Sequence, residues 1–101
     1  MTEIKNLAEE IIEEVESAKD YAERYVGSKA EKDMEWARRY KEMTEDELKH
    51  AKYLHELVVS KIEAYSAVYD IAAPVRMVEA WEACHKKYVE LAAWVRQMLE
   101  L

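Results

Sequence analysis

The chain has 101 residues, half of them apolar, with one glycine, one proline and no phenylalanine; this predicts a single all-α domain over 1–101 and excludes a sheet-rich fold, which needs more turn formers. The formal charge is −7 and the basic residues lie scattered among acidic ones, so no nucleic-acid partner is expected. No apolar run approaches the roughly 18 residues of a membrane span, and the polar start Met1-Thr2-Glu3-Ile4-Lys5-Asn6 and the single cysteine, Cys84, point to a reducing cytoplasm with no internal disulfide and no Cys-x-x-Cys metal site.

In the first segment Ile4, Leu7, Ile11, Val15, Ala18, Ala22 and Tyr25 recur at three-and-four spacing, with Ala8, Ile12 and Val26 widening the stripe. That is an amphipathic helix. Gly27 follows, and Ser28-Lys29-Ala30-Glu31 reads as a capping box, so a tight turn is expected at Gly27-Ser28. From Ser28 to about Ala72 there is neither Gly nor Pro, and Trp36, Tyr40, Met43, Glu47, His50, Leu54 and Leu57 form a second seam. A helix of that length would run about 65 Å, more than the first helix can cover. Thr44-Glu45-Asp46-Glu47 offers a possible break, but the seam keeps its register through it, which favours continuity. Pro74 begins the third helix and keeps Ala73 out of it. Its seam is Val78, Trp81 or Glu82, His85, Tyr88 or Val89, Ala92, Val95 and Leu99.

Two motifs on these seams carry chemistry. Glu47-Leu48-Lys49-His50 and Glu82-Ala83-Cys84-His85 each set a carboxylate and an imidazole one turn apart on one helix face. In a four-helix bundle, two such pairs with a Glu from each of two further helices build a di-iron or di-manganese carboxylate centre. The competing reading, glutamates on solvated faces and ordinary surface histidines, has against it that carboxylates in an apolar seam are costly unless paired or metal-bound. Helix 1 offers Glu14 in its seam. With a turn at Gly27-Ser28, however, Glu47 lies level with residues nearer Leu7 to Glu10, so Glu10 stays an alternative, and a turn a few residues later restores Glu14. His55, five residues beyond His50, reads as a surface residue on another face. Tyr21, Tyr40, Tyr53, Trp36 and Trp81 are candidates to lie near the centre, although an aromatic at helical spacing is more often core. Cys84 reads as a buried or half-buried free thiol.

The stretch Glu14-Val15-Glu16-Ser17-Ala18-Lys19-Asp20-Tyr21-Ala22, followed by Glu47-Leu48-Lys49-His50-Ala51, resembles the first half of rubrerythrin and other ferritin-like proteins. Glu82-Ala83-Cys84-His85 resembles their last-helix motif. The resemblance implies a ferritin-like fold, metal ligation by Glu14, Glu47, His50, Glu82 and His85, a functional tyrosine at Tyr21, two iron ions (or manganese or zinc), and oxidation of iron(II) by oxygen or peroxide. The chain departs from that pattern in having no separate third bundle helix with its own Glu. Glu79, or Glu63 from a second chain, is the candidate fourth carboxylate.

Three helices cannot close an equal four-helix bundle, so a homodimer or higher homo-oligomer is expected. The face expected to pair is Val58, Ile62, Tyr65, Val68, Tyr69 and Ala72. The alternative reading is a helical interaction or assembly protein with no working metal site.

Overall fold

The computed structural model describes residues 2–69 and 74–101. Among these, all regular structure is helical: α1 (Thr2–Ala30), α2 (Met34–Tyr69) and α3 (Val75–Leu99). None of these helices is long and apolar enough to cross a membrane. Pro74 stands immediately before α3, where its fixed φ and missing N–H do no harm. The expected continuation of α2 to Ala72, and Ala73, lie outside the described residues.

The first turn is not at Gly27-Ser28. Helix α1 runs through both residues, and Gly27 takes no positive φ. A helical glycine costs only about 1 kcal/mol relative to alanine, and the extra turn holds Lys29, whose Nζ donates to the Leu101 carbonyl at 2.7 Å and lies 5.6 Å over the Tyr25 ring. The chain reverses instead at Glu31-Lys32-Asp33. Lys32 adopts the left-handed φ of 64° that a glycine usually fills, and its N–H closes on the Lys29 carbonyl at 3.0 Å while Asp33 N–H closes on that of Ser28 at 2.9 Å. Asp33, not Ser28, caps α2: its Oδ1 accepts from Trp36 N–H at 3.3 Å.

This later turn fixes the register. Glu3 with Lys61, Glu14 with His50, and Arg24 with Tyr40 are successive rungs of an antiparallel α1/α2 hairpin. Helix α3 returns parallel to α1, with Cys84 beside Ala8, Lys87 beside Glu16, and the end of the chain beside Lys29. Helix α1 is the hub, packing against both others, whereas the backbones of α2 and α3 barely approach each other. The molecule is 57 Å long, which matches the roughly 54 Å expected of the 36-residue α2.

The core follows from these contacts. Ile4, Ile11, Val15, Ala51, Val58, Met77 and Ala92 form one buried cluster, and Ala18, Ala22, Val95 and Met98 form a second, with Leu48 touching both. Helix α2 passes unbroken through Thr44. That residue is fully buried, and its hydroxyl donates back to the Tyr40 carbonyl at 2.7 Å, so it satisfies itself inside the helix rather than capping a new one. Of the outer apolar face expected on the C-terminal half of α2, the part nearest the middle of the helix is turned inward, while the Tyr69 side chain and Ala72 lie outside the described residues. Val58 is fully buried and Ile62 and Tyr65 are half-buried against the first cluster, leaving Val68 exposed. Residues of both α1 and α3 cover this stretch: Ile4 and Met77 belong to the same cluster, and Glu3 near the start of α1 reaches Lys61.

Candidate metal site

Glu14, Glu47 and His50 converge. One carboxylate oxygen from each Glu and one ring nitrogen of His50 lie within 4.8 Å of one another, the one such triad of potential metal donors found among the described residues. His50 Nδ1 is 3.6 Å from Glu14 Oε2 and 3.9 Å from Glu47 Oε1. The pair on α2 shares one turn, and the antiparallel register brings Glu14 of α1 level with it. Glu10, one turn earlier, is exposed and outside the group. The reversal at 31–33 is the later turn that favours Glu14 over Glu10.

The electrostatics are those of crowded acids. Glu47 is pushed up to about 7, first by a hydrogen bond with Glu14 that requires a proton between them, then by partial burial and the Glu14 charge, against the opposing pull of His50. Both glutamate side chains are about three-quarters covered, while His50 is more than half exposed. The triad therefore sits at a rim, covered on the core side and open on the other.

The second motif goes elsewhere. Glu82 and His85 lie exposed on α3, as does Glu79, and none of the three joins the triad. Glu82 and Glu63 line a groove between α2 and α3 with Val59, Ile62, Val78 and Trp81. His85 pairs with His55, at 2.7 Å between His55 Nε2 and His85 Nδ1. The reading of His55 as a residue without a special role missed this contact. Leu48, seven residues earlier on the same side of α2, packs on both buried clusters, but that this side turns toward α3 is a matter of tertiary packing that the periodicity does not mark.

Tyr21 lies two turns beyond Glu14 on the same α1 stripe, about 10 Å along the axis. Its ring and that of Tyr40 sit 5.9 Å from the Arg24 guanidinium carbon. Trp36 packs on Tyr40 with ring centroids 5.6 Å apart, and Tyr53 is exposed. Trp81 belongs to the His55 cluster instead, 4.9 Å from that ring. Cys84 is half-buried, its thiol donates to the Ala8 carbonyl at 3.4 Å, and burial pushes its pKa up. These properties suit a packed thiol rather than a ligand or nucleophile.

The seam of α2 divides between two sides. Tyr40, Glu47 and Leu54 are half-buried, while Trp36, His50 and Leu57 are exposed and Met43 is partly so. Trp36, Met43, His50 and Leu57 recur every seven residues, the spacing of a helix-pairing seam. On α1, Leu7, Glu14 and Tyr21 recur at the same interval and are half-buried. Comparison with family models, with curated proteins and with solved structures finds no match to this chain.

Proposed function

We propose that this protein binds a pair of divalent metal ions, iron foremost, through Glu14, Glu47 and His50, with the ligand set completed by a second copy of the chain. The observation that carries this reading is the convergence of two carboxylates and one imidazole within 4.8 Å at a covered rim, where the Glu14 carboxylate holds Glu47 above the ordinary carboxylate range. Like charges held this close gain most from a cation that displaces the proton. Ligand bonds of about 2.1 Å would draw the three donor atoms to within about 3.5 Å of one another, a small contraction from the distances observed.

One chain supplies half of a di-metal carboxylate centre. Such a centre takes a Glu from each of two helices and a Glu-x-x-His pair from each of two others. Two copies related by a two-fold axis near Glu14 and His50 supply that set: Glu14 twice, and Glu47 with His50 twice. The seam Trp36, Met43, His50, Leu57 would pack against its own copy, giving a four-helix bundle from two α1/α2 hairpins. This assigns the fourth carboxylate to the partner's copy of α1, so neither Glu79, Glu82 nor Glu63 is needed for it. It also places the dimer on the α1/α2 face rather than at Ile62.

The chemistry such a pair of ions supplies is oxidation of iron(II) by oxygen or peroxide, with the ferritin-like resemblance as its support. The chain's own residues hold the ions, and Glu47 gives up its proton as they bind. Tyr21, with Arg24 beside its ring, stands on the stripe two turns away as the candidate redox-active side chain. The exposed Trp36 and Leu57 favour a second reading, in which this face serves assembly alone. Anaerobic iron(II) titration with sedimentation analysis separates the two. One iron per chain, bound by a dimer and lost in Glu47→Ala or His50→Ala, is the expected result. A dimer that takes up no stoichiometric metal overturns the metal reading and leaves the assembly one.

A further inference from the structure

The histidine pair outside the Glu14 site has a geometry of its own. His55 on α2 and His85 on α3 direct Nε2 and Nδ1 at each other across 2.7 Å. A contact this short between imidazoles needs a hydrogen on one nitrogen and a lone pair on the other, so the pair cannot hold two protonated rings in this arrangement. If the donor ring moves its hydrogen to its far nitrogen, both lone pairs point at one place between the helices. Two imidazoles bound to one tetrahedral cation, with bonds of about 2.05 Å, hold their nitrogens about 3.3 Å apart. The rings would have to part by about 0.6 Å, within reach of small side-chain rotations.

The surroundings fit a ligand pair. Tyr88 stacks on His55 with centroids 5.2 Å apart and Trp81 packs at 4.9 Å from the same ring, so His55 is walled by aromatics. His85 is exposed, which opens the pair to solvent on one side. Burial, reinforced by His85, holds His55 below the ordinary histidine range, which favours the neutral ring that a metal needs. Glu56, next to His55, and Glu82, one turn before His85, add negative charge nearby, while the Cys84 thiol is turned away to α1. Imidazole pairs select borderline cations, whereas carboxylate-rich sites accept harder ones.

We propose that His55 and His85 form a second, mononuclear site for a borderline divalent cation of the zinc, nickel or copper class, with water completing its shell, that clasps α3 to α2. The site is independent of the Glu14 centre. It lies where the two helix backbones hardly meet, so a cation there would add a cross-link that packing supplies only weakly.

Zinc(II) is the probe, and the Glu14→Ala/Glu47→Ala variant removes the carboxylate site. That variant is expected to bind one zinc per chain, with its melting temperature raised by about 6–10 °C at an excess of roughly ten times Kd. Adding His55→Ala or His85→Ala should abolish both effects. In the wild-type protein, histidine ring resonances of His55 and His85 should shift on zinc addition even if the double variant folds poorly. Zinc binding that survives His55→Ala, or ring resonances that stay unmoved while His50 alone responds, overturns the proposal and leaves the pair a hydrogen bond between helices.

Discussion

The two Glu-x-x-His motifs are alike in sequence and opposite in fate. Glu47 and His50 lie on the α2 side that meets α1, and the hairpin register delivers Glu14 to them. Glu82 and His85 have the same spacing on a helix of similar kind, but α3 lies parallel to α1 and turns this pair outward, so Glu82 is solvated and His85 finds His55. The lesson is that a ligand motif is only half of a site. What distinguishes the two is whether the neighbouring helix presents a third donor at the same level.

The largest expected effect separates the motifs directly. Glu47→Ala should lower iron(II) affinity by more than 100-fold in anaerobic titration, whereas Glu82→Ala should change it less than two-fold; equal losses would put both motifs in one centre. Next, Leu57→Glu should split the proposed dimer and weaken iron binding together, by at least ten-fold, in sedimentation and titration of the same samples. Val58→Glu should instead unfold the chain, since a charge at a fully buried position costs several kcal/mol against a total stability of about 5–15 kcal/mol.

A third expectation concerns protons. Glu47 is raised from 4.5 to about 7, so its contribution to metal-free stability is fully present below about 4.5 and is lost as pH rises through about 7. Glu47→Gln should flatten that part of the melting-temperature profile. Iron affinity should rise over the same interval as the proton becomes easier to displace, and a flat wild-type profile would remove the shared proton from the account. The smallest effect lies at the turn that sets the register. Lys32→Gly relieves a left-handed residue and should raise the melting temperature by about 3–6 °C, a gain of somewhat under 1 kcal/mol, with iron affinity unchanged.

Much of this was legible in the sequence because helical periodicity is a strong signal. The three segments, the unbroken α2 and the boundary at Pro74 follow from where Gly and Pro are absent and where Pro stands. The reversal at Lys32 was hidden because Gly27 is the conventional terminator and a left-handed lysine has no sequence mark. Asp33 preceding Met34-Glu35-Trp36 was the cap to find. The triad was legible through the seam position of Glu14 and the spacing of Glu47 and His50. The separation of Glu82 and His85 was not, since it depends on how α3 rotates about its axis when Met77, Ala92 and Val95 settle into the core.

The hub position of α1 also bears on how the molecule assembles in time. The α1/α2 hairpin can zip outward from a three-residue turn, each rung closing only a short further loop, whereas α3 contacts α1 across most of the chain and docks on a surface already formed. Glu14, Glu47 and His50 all belong to the hairpin. Hydrogen exchange should therefore find α1 and the middle of α2 protected longest and α3 opening at lower cost, as a separate cooperative unit. The Glu14–Glu47–His50 triad would then survive excursions in which a quarter of the chain has let go.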